Sequence, residues 1–395
     1  MFRRQTTLCR EGWYYLVITA VVLGGAIFKE VNLLLILAGI LLGPLLLNWR
    51  LVRSNLCGLC IQRKLPPALC AGDPLSVSLN LSNARRRPAS WAIVVEDQIR
   101  REMGNGHSHL RLAPPLCPYV SFPYVPAGQS RKGAYRGRLV ERGRYQFGPL
   151  RFSTRFPFGL FSRTISAGEV ERLIVLPRLG RLTAGWTTRR LDAFVADGRR
   201  GRAGSEGDFY GVRGWHSGDG RRLVHWRSSA RLGKLVVRQF EQPRNRDVAI
   251  VLDLWQPDAP AQEHLENVEL AVSFAATVLA DSCRKGGSNA YLALSNTGPE
   301  CIGGPASPAL LQGLMEQLAV AEGSARDTLP ALLAYALQRI AAGTEIVLVS
   351  TRTNNFSDDA HLAAIRSNPV LRERARHIRC VDTSSEQLAQ FFRAE

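Results

Sequence analysis

Two places in this 395-residue chain gather residue types that do chemistry. The first is residues 204–241, GSEGDFYGVRGWHSGDGRRLVHWRSSARLGKLVVRQFE, where His216 and His225 lie close to Asp219, Ser217 and Ser228. These are the types from which an acid–base or nucleophile set is assembled. A polar, turn-rich segment also brings such neighbours together without catalysis, and the structural reading is preferred here. The second is Asp253, just past an apolar run at 248–252, the position where open α/β sheets present ligand-binding side chains. Cys57 and Cys60, with Cys70 nearby, have the spacing of a metal or redox pair, but no second pair accompanies them. His107 and His109 form an HxH pair in a Gly-containing loop with no third ligand in view, which reads as solvated. There is no GxxxxGK[ST], GxGxxG after a strand, HExxH or GxSxG. No cofactor or tightly bound metal is expected.

The 204–241 segment carries more than histidines. Gly207-Asp208, Gly214 and Gly218-Asp219-Gly220 mark reversals of the chain, since glycine adopts positive φ without steric cost. Phe209, Tyr210, Trp215 and Trp226 alternate with Arg213, Arg221, Arg222, Arg227 and Arg231, so each ring has a cation near enough to stack on it. Leu235, Val237 and Phe240 alternate with polar residues as in a half-buried strand. Asp219 is expected to hold its turn, Trp226 to fill core, and Arg213, Arg222 and Arg231 to pair with carboxylates of the acidic C-terminal region.

The elements that must position these residues are written in the surrounding pattern. Residues 13–28 contain no charge, and after Lys29-Glu30 residues 31–49 contain none either. At about 1.5 Å per residue, the second run crosses a hydrocarbon core of about 30 Å and the first reaches the interface at its ends. Together they predict a retained helical hairpin anchor, residues 1–52. Arg3, Arg4 and Arg10 precede it and Arg50, Arg53, Arg63 and Lys64 follow, which places both termini in the cytoplasm at the inner membrane. Eight cysteines without regular spacing fit reduced thiols in that compartment.

Residues 56–178 alternate apolar and polar, most clearly Leu75, Val77, Leu79 and Leu81 against Ser76, Ser78, Asn80 and Ser82. Further strands are expected at 91–95, 120–125, 133–140, 145–152 and 173–176, giving a small antiparallel β-sandwich. Residues 179–203 show no apolar period and read as a connector to the segment at 204–241. From 246 to 395 strands and helices alternate, with strands at 248–252, 289–294, 345–349 and 377–381. Helices are expected near 265–284, 309–321, 329–341, 358–366 and from 386, the pattern of a Rossmann-like α/β domain.

Charge is uneven along the chain: the net is +8 over residues 1–130, +16 over 131–244 and −6 over 245–395, within an overall +18. The basic middle suits an anionic membrane surface or pairing with the acidic C-terminal region.

The run Gly-Asp-Gly-Arg-Arg-Leu-Val-His-Trp-Arg-Ser-Ser-Ala-Arg at 218–231, with Gly207-Asp208-Phe209 and Arg213 upstream, resembles the signature of the bacterial family called domain of unknown function 58. Gly218, Asp219, Arg222, Trp226, Ala230 and Arg231 are its positions in this chain. Arg142-Gly143-Arg144-Tyr145 and Pro157-Phe158-Gly159-Leu160-Phe161 are similar to a second phrase of that family, with Phe156 where an acidic residue usually stands. The resemblance implies a membrane hairpin, a β-rich region, the signature, and a C-terminal domain similar to von Willebrand factor A domains. Those domains bind Mg²⁺ through Asp-x-Ser-x-Ser, a Thr from a later loop and a further Asp, because a hard cation wants an octahedron of oxygens. Here the first motif reads Asp253-Leu254-Trp255-Gln256-Pro257, Thr328 fits the Thr position, and Ser350-Thr351-Arg352 stands where the last carboxylate would be. Asp253, Thr328 and Thr351 are therefore read as positions of a degenerate metal site, with Asp253 and Thr328 expected to cap helices and loops.

The resemblance also implies a MoxR-type AAA+ ATPase as partner, in assembly or maturation of other proteins. The leading expectation is thus a non-enzymatic, membrane-anchored cytoplasmic scaffold. Two alternatives are a nucleic-acid binder using the arginine-aromatic stretch and an enzyme of unknown reaction at Asp253.

Overall fold

The structure is a computed structural model that describes residues 4–102, 115–167, 169–183, 186, 208–217, 219–241, 247–296, 298–352, 369–375, 378–383 and 388–394. His107, His109, Gly207, Gly218, most of 179–203 and the helix expected near 358–366 lie outside the described residues. Two compact units divide the chain, Met1–Leu176 and Pro177–Glu395. It is a multidomain mixed α/β protein.

The N-terminal unit begins with a strand that the sequence pattern did not announce, β1 (Arg4–Leu8), followed by the two apolar helices α1 (Arg10–Lys29) and α2 (Asn32–Asn55). Both helices are long and apolar enough to cross a membrane. Their broad exposed apolar surface, with Phe28 89 % and Leu33 75 % exposed, is what a lipid-facing helix presents. The strands that follow are β2 (Leu59–Lys64), β3 (Leu69–Cys70), β4 (Pro74–Asn83), β5 (Ser90–Glu96), β6 (Ile99–Glu102) and β7 (Tyr119–Val125). They continue as β8 (Ser130–Arg138), β9 (Gly143–Phe147), β10 (Leu150–Thr154), β11 (Phe161–Ala167) and β12 (Glu171–Leu176).

These strands form three sheets, ordered β1-β11-β10-β5-β7, β3-β12-β9-β6 and β2-β4-β8. Pairing is antiparallel apart from β3 with β12. The alternation in β4 does what its period requires: Leu75, Val77, Leu79 and Leu81 are buried in the common core with Ile93, Phe147 and Phe152. The strand expected at 145–152 is two strands in two sheets. Gly148, at φ +105°, turns the chain between them, and a Cβ there would lie 3.2 Å from the Glu169 carbonyl.

Inside this unit lies an ion-pair cluster that the pattern did not reveal. Arg63, 1 % exposed at its side chain, donates to both oxygens of the fully buried Asp97 at 2.8 and 3.0 Å and to Glu171 at 3.1 Å. The Tyr135 hydroxyl donates to Asp97 at 2.7 Å. Burial, with the adjacent Asp97 charge, pushes the Tyr135 phenol well above its ordinary range. Arg63, counted above among the arginines flanking the membrane, is thus enclosed in the core.

The C-terminal unit comprises β13 (Arg181–Leu182), β14 (Asp208–Gly214), α3 (Trp226–Leu232), β15 (Val236–Glu241), β16 (Val248–Asp253), α4 (Gln262–Lys285) and β17 (Asn289–Ser295). It continues with β18 (Pro299–Pro305), α5 (Pro308–Val320), α6 (Leu329–Arg339), β19 (Glu345–Ser350), α7 (Pro369–Ala375), β20 (Arg379–Asp382) and β21 (Phe392–Arg393). Its main sheet has the order β18-β17-β16-β19-β20, parallel except for β18. Every residue of the central strand β16 is buried, the signature of a strand with both faces covered. The start of the expected connector belongs to this unit: β13 pairs with β21, and Trp186 is fully buried, its ring 5.3 Å from that of Phe274. Where a last helix was expected from 386, there is a 3₁₀ turn at Leu388–Gln390 and then β21.

Candidate functional site

Two clusters in the C-terminal unit contain the residues singled out by chemistry. The first stands at the carboxyl ends of β16 and β19, where Asp253 is in register with Ser350. Central strands end here because the apolar runs stop and polar residues close the sheet. The Ser350 hydroxyl donates to Asp253 Oδ2 at 2.9 Å. Arg352 Nε donates to the same oxygen at 3.3 Å, while its Nη2 donates to Asp327 Oδ1 at 2.5 Å. The guanidinium thus bridges two carboxylates and also faces the Trp255 ring, 5.6 Å from its centroid. Thr351 donates through Oγ1 to the Trp255 carbonyl at 2.5 Å.

Burial dominates the electrostatics of Asp253, which is 3 % exposed. Desolvation raises its carboxyl above the ordinary range, against the opposing pull of Arg352 and the Ser350 hydrogen bond. Thr328 opens α6 through its backbone carbonyl, which accepts from Leu332 N at 3.0 Å; its side chain makes no capping bond, contrary to expectation. Asp253 does not cap a helix either, and holds Ser350 and Arg352 instead. Asp327 was not anticipated as a member, and Ser350 only as part of the loop Ser350-Thr351-Arg352. Asp327 lies immediately before Thr328 in sequence, the one signal that pointed to it. Among the described residues, no group of three or more His, Cys, Asp or Glu side chains could hold a metal.

The second cluster is the segment containing the signature. β14 and β15 form an antiparallel pair from Asp208↔Glu241 to Gly214↔Val236, with an irregularity between Phe209 and Gly211. The Asp208 and Phe209 backbones lie in that pair. Arg213 grips Asp219 with both terminal nitrogens at 2.7 Å, and Asp219 Oδ2 also accepts from His216 N at 2.9 Å. The Arg213 hydrogen bonds, then the His216 amide, hold the Asp219 carboxyl down at about 2. Arg213 therefore pairs within its own segment rather than with the acidic region.

His225 caps α3, its Nδ1 accepting from Ser228 N at 3.2 Å. His216 Nδ1 lies 3.0 Å from the Arg213 guanidinium. The two histidines are thus both engaged in local structure. Trp226, expected in the core, is 66 % exposed, and Trp215 is 41 % exposed. Val236 and Val237 are both buried and Leu235 is exposed, so the alternation expected from 235 does not hold. The Arg222, Arg231 and Ala230 side chains are on the surface. Exposed rings and arginines here present an apolar and cationic surface. The thiols Cys57 and Cys60 are both exposed.

The fold and these clusters define a class: a chain with two helices of membrane-spanning length, a unit of mainly antiparallel sheets and a unit built on a mostly parallel sheet. Within that class, residues 211–367 match the family described as protein of unknown function DUF58. The chain is similar to an uncharacterized protein, YeaD, of Bacillus subtilis (strain 168), at 26 % identity over 57 % of this chain. The matched stretch is 52 % of that relative, so the chain spans about half its length. Among solved structures, a beta-glucosidase from Listeria innocua aligns at 13 % identity over 30 % of this chain and 15 % of its own, with a TM-score of 0.20. The sporulation control protein Spo0M from Bacillus subtilis aligns at 10 % identity over 35 % of this chain and 55 % of its own, with a TM-score of 0.18. At such scores neither likeness carries an argument.

Proposed function

We propose that the chain is a membrane-anchored, non-enzymatic docking protein whose C-terminal unit is a von Willebrand factor A-like domain with a dismantled cation site. The observation that carries this reading is Arg352, whose guanidinium bridges Asp253 and Asp327 at the carboxyl end of the sheet. A cation already occupies that oxygen set, and a divalent ion would meet its charge at close range, so the residues present do not fit Mg²⁺. The arginines flanking the hairpin support an orientation with both termini in the cytoplasm.

The partner in this reading is a MoxR-type AAA+ ATPase, the two working on assembly or maturation of other proteins. The exposed Trp215 and Trp226, set among arginines, are the side chains best suited to anchor a protein partner. The test is recovery from native membranes of the intact chain, Arg222→Ala and Trp226→Ala. Co-recovery of an AAA+ ATPase with the intact chain and its loss from Trp226→Ala support the reading. Equal recovery with all three confines the segment to folding. Salt-sensitive retention of nucleic acid in the same preparation would favour phosphate and base stacking instead.

A further inference from the structure

The end of the N-terminal unit from which α1 and α2 depart differs in chemistry from the rest. β1 runs directly into α1 through Cys9, and pairing with β11 sets Leu8 opposite Phe161. β10 and β5 continue that alignment, with Thr154 opposite both Arg163 and Ile93, and Ser90 lies opposite Val125. In the smaller sheet, Leu59 follows the end of α2 and lies opposite Asn83. The connections gathered at this end are therefore residues 56–58, 84–89, 126–129 and 155–160. They contain Arg85, Arg86, Arg87 and Arg155 and not one Asp or Glu.

These connections are fixed to the helices. Cys9 N donates to the Leu160 carbonyl at 2.9 Å, and a Cβ at Gly12 would lie 2.2 Å from that oxygen. Phe161 N donates to Asn48 Oδ1 at 2.9 Å. Trp91 N donates to Asn55 Oδ1 at 2.8 Å, and Arg85 Nη1 donates to the Ser54 carbonyl at the end of α2 at 2.7 Å. The uncharged run of α2 ends at Trp49, so the turn at 155–160 stands where hydrocarbon gives way to head groups. Asn55 is six residues beyond Trp49. At 1.5 Å per residue that is about 9 Å, near the outer edge of a head-group layer about 5–8 Å deep.

Phe158, in the turn closed by Gly159 N donating to the Arg155 carbonyl at 2.8 Å, is 52 % exposed. Arg86, Arg87 and Arg155 are exposed beside it in the same group of connections. On the helices at that level, Trp13 and Trp49 are exposed, and the Arg53 guanidinium lies 4.7 Å from the Trp49 ring centroid. Aromatic rings and arginines at one level are the composition of a membrane interface.

We propose that this end of the N-terminal unit is a third membrane contact, in which the 155–160 turn lays Phe158 into the lipid interface while Arg86 and Arg87 meet anionic head groups. The occupant is the bilayer surface, chosen by continuity with the two helices and by an excess of positive charge, Glu11 being the acidic neighbour near Cys9. It rests on the reading of α1 and α2 as membrane spans.

The test uses the full chain in vesicles of phosphatidylcholine, with or without phosphatidylglycerol, containing bromine-labelled lipids. Phe158→Trp is compared with Val140→Trp, since Val140 is 79 % exposed and lies just past Arg138, at the opposite end of β4 and β8. Wild-type emission is subtracted from both. The tryptophan at 158 is expected to lose emission to the brominated lipids and shift to the blue, and the one at 140 to do neither. Adding Arg86→Glu and Arg87→Glu should reduce the loss at 158 in vesicles containing phosphatidylglycerol and leave it unchanged in phosphatidylcholine alone. Equal behaviour at 158 and 140, or a loss indifferent to the two charge reversals, overturns the proposal. An alkaline wash of the same vesicles reports on the spans separately. Release of the chain refutes the spans, while retention with an unquenched tryptophan at 158 refutes only the surface contact.

Discussion

Replacing Arg352 with alanine is the most informative perturbation of the strand-end cluster. Asp253 is 3 % exposed and its other side-chain partner is the Ser350 hydroxyl, so the variant strands a buried carboxylate. Removing one partner of a buried pair costs about 3–5 kcal/mol. The Arg352 side chain is 20 % exposed, so water can partly replace it, and the expected loss falls to about 2–3 kcal/mol. For a unit of this size each kcal/mol moves the transition by about 2–4 °C, which gives a drop of roughly 5–10 °C. Asp253→Asn keeps the shape and removes the desolvated charge. Because burial already raises the Asp253 carboxyl, this change should cost less than about 1 kcal/mol.

The double variant should be less destabilised than the sum of the two, since removing Asp253's charge removes most of the reason to need Arg352. With the guanidinium gone, its charge no longer opposes a divalent ion at Asp253 and Ser350. A dissociation constant of about 1 mM would then let about 10 mM Mg²⁺ stabilise the variant by about 1.4 kcal/mol. The assay is thermal unfolding of the detergent-solubilised chain with and without Mg²⁺, following the transition of the C-terminal unit. Two results refute the reasoning: Mg²⁺ stabilising the wild type as much as Arg352→Ala, or Asp253→Asn costing as much as Arg352→Ala.

Three further outcomes follow from other sites. The Asp219 carboxyl is held at about 2, so its contribution is complete above the ordinary carboxylate range and disappears as pH falls toward 2. Protection of the Trp215 and His216 amides, measured as exchange relative to the intrinsic rate at each pH, should fall over that interval, and should already be low at neutral pH in Asp219→Asn. Arg63→Ala leaves the fully buried Asp97 without its bidentate partner and should cost about 3–5 kcal/mol in denaturant unfolding, against about 1–2 kcal/mol for Tyr135→Phe. Trp226→Ala, at a 66 % exposed site, should shift stability by less than about 0.5 kcal/mol, so any loss of partner recovery reports on contact.

Residue order alone determined the elements whose burial is one-sided or complete. Uncharged runs specify α1 and α2, strict alternation specifies β4, and the unbroken apolar run of β16 both identifies a covered strand and places Asp253 at its end. The same reasoning could not find partners distant along the chain. Arg63 and Asp97 are 34 residues apart and nothing local distinguishes them from surface charges, whereas Arg352, 99 residues from Asp253, was brought to its site only by the resemblance. Trp226 reads as core by composition, yet the short helix that carries it turns that face to solvent, and only the packing of Ser229 and Val236 decides so. β9 and β10 form one continuous pattern but enter different sheets at Gly148, because period records which face is buried and not which neighbour buries it. Sequence fixes faces and ends, whereas the pairing of charges and sheets is settled by closure of the chain upon itself.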